Sequence, residues 1–197
     1  HHTLGEQALT PQRRALIASR TDGVPLFVEE MARALAEAPA DGRSSGQAAV
    51  VPNTLQDLLM ARLDRVAPAA RLVAQAASVV GREFCAEVLE AMLAQARAAE
   101  VATAIDVALV DLADAGLLLP ARERVESADE PSRWMFKHAL VQDVAYDSMV
   151  QGQRAALHAA LLAVLLEQGR SEPAVLARHA DAAQQVDKAV PWWLKAS

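Results

Sequence analysis

The feature that most restricts what this chain can fold into is a change of period between Arg133 and Met149, RWMFKHALVQDVAYDSM. Trp134, Met135 and Phe136 are bulky and suit a pleated, half-buried surface. Leu140, Val141, Val144 and Ala145 then fall at helical spacing, with Gln142, Asp143 and Asp147 on the opposite side. The stretch therefore reads as a strand running straight into a helix, with Lys137 and His138 at the joint. A histidine placed there has two readings: a ligand contact at the strand–helix changeover, or a group that satisfies the open backbone at the helix start.

Around this stretch the pattern is helical. The apolar content, 53% of the chain, is mostly Ala, Leu and Val with only 4% aromatic residues, and Ala and Leu are strong helix formers. Thr10-Pro11 reads as a cap followed by proline at the first helical position, opening a helix to about Ser19. Asp22-Gly23-Val24-Pro25 breaks it. A second helix runs from Pro25 to about Ala38, with Phe27, Met31 and Leu35 along one face. Pro39 to Val51 has little pattern and reads as a linker between two modules.

Thr54-Leu55-Gln56-Asp57 matches the Thr-x-x-acid capping pattern. The helix after it buries Leu55, Leu58, Leu59, Leu63 and Val66. Another starts at Pro68 and carries Leu72, Val73, Ala76, Ala77 and Val80, with Gly81 placed to end it in a left-handed conformation. Phe84–Leu93 reads as a short helix. Ala98–Ala115 reads as a longer one, burying Val101, Ile105, Ala108, Leu109 and Leu112 and closed by Gly116. Two short strands follow, at Leu117–Pro120 and Trp134–Phe136, around a polar loop, and make a hairpin. Helices followed by such a hairpin are the layout of a winged helix.

Beyond the hairpin, helices are expected at His138–Met149 and Gln153–Gln168, separated by Gly152. Two more are expected at Pro173 to about Ala183 and from Asp187 onward. Helix pairs joined by short turns point to helical repeats, which need about three units for stability, so the array reads as cut off. The expected fold class is mainly α: a helical lid segment at 1–38, a linker at 39–52, a winged-helix domain with one short β-hairpin at 53–150, and the start of antiparallel, tetratricopeptide-like helical repeats at 151–197.

Several chemistries find no motif. The sequence has no G-x-x-x-x-G-K-[ST] phosphate loop, no G-x-G-x-x-G, no H-E-x-x-H and no C-x-x-C. His158 and His179 lie far apart in sequence and read as surface or partly buried helical residues rather than a metal pair, so no catalytic or metal-binding residues are expected. Cys85, the one cysteine, excludes an internal disulfide framework and reads as a buried structural thiol. No apolar run reaches the ~18 residues of a membrane span, and no signal peptide is visible; a cytoplasmic protein without a membrane partner is expected. The net charge of −6 opposes nonspecific binding to nucleic acid. The third helix of a DNA-binding winged helix needs Lys or Arg for phosphates. Here the stretch between Arg97 and Arg122 has no basic residue but contains Glu100, Asp106, Asp111 and Asp114. The expectation is a protein or nucleotide contact module, not a DNA reader.

Five stretches occur in order: TDGVPLFVEE (Thr21–Glu30), VPNTLQDLLMARLDRV (Val51–Val66), VGREF (Val80–Phe84), FKHALVQDVAYDSM (Phe136–Met149) and KAVPWWLKA (Lys188–Ala196). Together they resemble the STAND signal-transduction ATPases, especially the ATPase module of multidomain bacterial class III adenylate/guanylate cyclases; LuxR-type transcriptional activators carry a related module. The resemblance implies a parent protein in which a P-loop domain precedes a lid, a winged helix and helical repeats. This segment would be non-catalytic and hold no cofactor alone, with ATP or ADP and Mg bound in the intact parent. Its partners would be the P-loop and cyclase domains of that parent, with a protein or effector on the repeats. The resemblance also implies two nucleotide-contacting positions. One is the Gly-x-Pro motif, here Gly23 and Pro25, beside the adenine. The other is His138 at the phosphate, the place of a winged-helix histidine in relatives such as the plant and animal NOD-like receptors, although those read Met-His-Asp where this chain reads Lys137-His138-Ala139. Set beside these, Gly23-Pro25 also reads as a plain helix-breaking turn. Phe27, Trp134 and Phe136 read as core, and Trp192-Trp193 as packing between repeats or, in an array left open, as a partner surface.

Overall fold

The computed structural model describes residues 17–18, 21, 24–37, 54–96, 98–121, 132–169 and 171–196. The expected helix start at Thr10-Pro11, Gly23, the linker at 39–52 and most of the polar loop after Arg122 lie outside the described residues. The contacts divide the chain into two compact units, His1–Arg62 and Leu63–Ser197.

In the first unit, helix α1 (Pro25–Glu37) begins at the proline, as its pre-set φ favours. Helix α2 (Leu55–Leu63) begins after Thr54, whose Oγ1 accepts a hydrogen bond from the Asp57 N–H at 3.0 Å. Met31 and Leu35 pack with Ile17 and Leu58, and Phe27 and Val28 lie against this cluster. The predicted face of α1 is thus the buried one. An ion pair joins the two helices: one guanidinium nitrogen of Arg62 lies 2.6 and 2.7 Å from the two carboxylate oxygens of Glu30.

The second unit is built around helix α3 (Pro68–Val80). Ala70, Ala74, Ala76 and Ala77 are all buried on it, and their small side chains let neighbours approach from several sides. Helices α4 (Ala86–Gln95), α6 (Ile105–Asp114), α7 (Ala139–Asp147) and α8 (Gln151–Gln168) all pack against it. Between α4 and α6 lies a single turn, α5 (Ala99–Ala102). Three strands, β1 (Glu83–Cys85), β2 (Leu118–Pro120) and β3 (Arg133–Phe136), form an antiparallel sheet in the order β1-β3-β2. Phe84 faces Trp134 across one ladder, and Leu118 faces Phe136 across the other. Phe136 is fully buried and its ring centroid lies 6.0 Å from that of Phe84. The chain is mainly helical with a short antiparallel sheet, as expected.

Several local expectations are corrected. Phe84 lies in β1 rather than in a helix; three residues are too few to show a period, and pairing with β3 decides their conformation. The helix expected over 98–115 is two helices. Thr103 Oγ1 donates to the Glu100 carbonyl at 2.9 Å, and Ala104 leaves helical geometry at φ −109°, ψ 15°, so α5 stops and α6 starts afresh. Gly81 does end α3 at positive φ, but φ 146° with ψ −172° is an extended, glycine-favoured geometry and not a left-handed turn. Gly116 does take the left-handed geometry, φ 63°. It completes a Schellman closure in which Leu117 N–H reaches the Leu112 carbonyl at 2.9 Å and Gly116 N–H the Ala113 carbonyl at 2.7 Å. Gly152 does not separate two helices; it lies in the first turn of α8. Cys85 is only half-buried, at the end of β1.

Helices α9 (Pro173–Ala182) and α10 (Val186–Ala196) follow. Helix α9 packs against α8 on one side and α10 on the other, around Leu162, Leu176, Ala180 and Ala189, with Trp192 against them. Helices α7 and α8 meet at a bend of 115°, and no single described helix is long and apolar enough to cross a membrane.

Candidate functional site

The joint between β3 and α7 is held from both sides. Phe136 N–H donates to the Arg82 carbonyl at 3.0 Å and Lys137 N–H to the Leu117 carbonyl at 3.1 Å. These bonds tie the joint to the residues that directly precede β1 and β2. His138 follows in extended conformation, φ −137°, ψ 146°, at the N-cap position of α7, and its carbonyl accepts from Val141 N–H at 3.0 Å. Its side chain makes no capping hydrogen bond. The ring is half-buried, and Nε2 is enclosed with no hydrogen-bond partner. The capping alternative for His138 is therefore not what the side chain does. An enclosed imidazole nitrogen without a partner is unfavourable by roughly 1–3 kcal/mol and is suited to a group that would complete it.

Pro25 is the first residue of α1, and its side chain is exposed. It belongs to the first unit and His138 to the second. Gly23 lies outside the described residues.

A second cluster was not legible as a cluster in the sequence. His158 on α8 and His179 on α9 are both buried, at 7% and 3% exposure. Their Nδ1 atoms lie 2.9 Å apart. The other nitrogen of His158, Nε2, lies 3.0 Å from the Tyr146 hydroxyl on α7. Arg154 stacks over the Tyr146 ring at 5.1 Å and donates from Nε to the Met149 carbonyl at 3.1 Å. Burial lowers the pKa of both histidines, and the nearby Arg178 cation lowers them further; His179, which also faces His158, is brought down to about 4. Both imidazoles are thus neutral near pH 7. The expectation of surface or partly buried helical histidines is corrected: both are buried and in contact with each other. The available signal was their position on apolar faces, His158 beside Leu157 and Leu161, His179 three residues after Leu176. Among the described residues no group of three or more His, Cys, Asp or Glu side chains is placed to hold a metal.

The outer face of α6, where a DNA-reading helix would carry its cations, presents Asp106, Asp111 and Asp114 with Val107 and Val110, the two valines 66% and 52% exposed. A phosphate backbone would meet like charge there.

No family model matches the chain, and no solved structure matches it. It is similar to an uncharacterized protein, R02095, of Rhizobium meliloti (strain 1021), with 29% identity over 181 residues that cover 88% of this chain. The chain spans 17% of the length of that relative.

Proposed function

We propose that this chain is the lid, winged-helix and repeat segment of a nucleotide-switched signalling ATPase, non-catalytic in itself, which controls an adenylate or guanylate cyclase elsewhere in a long cytoplasmic parent protein. The observation that carries this reading is His138, whose Nε2 is enclosed without a partner at a strand–helix joint held by backbone bonds on both sides. The acidic, valine-bearing face of α6 favours a protein neighbour over DNA, and the small share of the relative that the chain spans is what a segment of a multidomain protein would show.

The segment has no phosphate-binding loop, so ATP or ADP with Mg would be held by the parent's P-loop domain. Bound nucleotide supplies an anionic phosphate, to which an imidazole N–H can donate. In its Nε2–H form His138 would make that bond, gaining a partner it lacks here. Made to ADP and lost on exchange for ATP, the bond would be the differential contact that biases the winged helix between closed and open arrangements. Pro25 would support the same closure from the lid.

The test uses the full-length parent with ATP, quantifying cyclic AMP and ADP for wild type and His138→Ala. Cyclic AMP from the wild type, with its sensitivity to ADP altered in the variant, is the expected result. ADP alone would move the output to another domain, such as a LuxR-type DNA-binding domain. Neither product, with no nucleotide retained, would overturn the reading and leave a protein-interaction scaffold.

A further inference from the structure

Three side chains from three successive helices form a hydrogen-bonded line at the place where the winged helix passes into the repeat helices: Tyr146 on α7, His158 on α8 and His179 on α9. We propose that this line is a proton-responsive latch, which fastens the α9–α10 pair to α8 when the imidazoles are neutral and releases it when they take up protons.

The geometry sets a proton count. A 2.9 Å Nδ1–Nδ1 contact requires an N–H on one ring and a lone pair on the other. Two neutral arrangements satisfy it. In one, Tyr146 O–H donates to His158 Nε2 and His158 Nδ1–H donates to His179. In the other, His179 Nδ1–H donates to His158 and His158 Nε2–H donates to Tyr146. One added proton can be placed without breaking the line, since a doubly protonated His158 donates to both neighbours. A second proton sets two N–H groups and two positive charges against each other, and the contact has to open.

The surroundings sharpen the response. Arg178 on α9 acts on both rings, and Arg154 lies over Tyr146. Helix α3 faces α8 with the uncharged Gln75, which accepts from Gln153 Nε2 at 2.9 Å. The carboxylates of these helices, Glu87 and Glu90 on α4, Asp143 and Asp147 on α7, Glu167 on α8, Asp181 on α9 and Asp187 on α10, are exposed, as are Lys188 and Lys195 on α10. The described groups thus place cations beside the latch and the acids of these helices in solvent. Once freed to water, an imidazole binds a proton near pH 6.5. Acid below that value therefore draws out the open form. The apolar contacts of Leu162 with Leu176, Ala180 and Ala189 carry no charge and would be left to hold α9 alone.

The test is amide hydrogen exchange on the full 197-residue chain, corrected for intrinsic rates, at pH 7.5 and pH 5.0. Protection in α9 and α10 is expected to fall at least about tenfold at the lower pH, while α3 and α6 keep theirs. The neutral double variant His158→Gln/His179→Gln is expected to lose most of this dependence. Unchanged wild-type protection, an equal fall in the double variant, or simultaneous loss across α3 and α6 would each overturn the latch. Should the double variant fail to fold, nitrogen-15 NMR of the wild-type imidazoles decides. Two imidazolium rings at pH 5.0 with α9 still protected would refute the proposal. Neutral, hydrogen-bonded rings at pH 7.5 whose protonation coincides with the loss of protection would uphold it.

Discussion

The ion pair between Glu30 and Arg62 offers the sharpest test of what holds the first unit together. The two side chains are only 4% and 10% exposed, so removing one partner strands a charge in a largely dry site. Arg62→Met should therefore destabilise α1 and α2 by about 3–5 kcal/mol. The apolar cluster opposing that loss is small, with Ile17, Met31, Leu35 and Leu58 at its centre, each contributing roughly 1.5–3 kcal/mol when fully buried. The double variant Glu30→Met/Arg62→Met removes both charges and keeps the volume, and should recover most of the loss or exceed wild type. The readout is amide exchange in α1, where 3 kcal/mol corresponds to about a hundredfold loss of protection. Trp134, Trp192 and Trp193 all lie in the second unit, so tryptophan fluorescence reports that unit separately in the same samples. Single-variant effects that simply add in the double variant, with coupling below about 0.5 kcal/mol, would refute a buried, mutually dependent pair.

Three further outcomes follow from the backbone and the buried histidines. Gln184 holds φ 60° in the turn after α9, where its N–H reaches the Asp181 carbonyl at 2.8 Å and Gln185 N–H the Ala180 carbonyl at 2.9 Å. A left-handed non-glycine residue costs about 1–2 kcal/mol, so Gln184→Gly should raise the thermal midpoint of the α9–α10 pair, and a lowered midpoint would contradict the strain. Gly152 has open space where a Cβ would sit and lies within α8, so Gly152→Ala should stabilise by roughly 0.5–1 kcal/mol in urea unfolding. The pKa of His179 is lowered to about 4 in the fold, against about 6.5 in the unfolded chain. Its contribution is thus fully present above pH 6.5 and lost as pH falls from 6.5 towards 4, on the order of 3 kcal/mol in all. His179→Gln should flatten the stability–pH curve in that window, and an unchanged slope would refute the assignment.

What the sequence determined by itself was local. Spacing of Phe27, Met31 and Leu35 named the buried face of α1, with Met31 fully enclosed. Thr54 marked the start of α2, Gly116 the end of α6, and the change of period at Phe136–His138 the strand–helix joint. Each of these depends on residues within a turn or two of one another, where caps, φ preferences and periodicity act directly. Tertiary structure decided what those faces meet. Residues 83–85 become a strand only because β3, some fifty residues later, supplies the other half of the ladder. The Glu30–Arg62 pair closes over 32 residues and the His158–His179 contact over 21. In each case periodicity could show that a side chain points inward, but not which partner waits there. That choice is made by packing, because a buried charge or imidazole is stable only opposite the one neighbour that completes its hydrogen bonds. His138 is the exception that gives the joint its interest: the sequence located it, and the fold encloses its Nε2 without completing it.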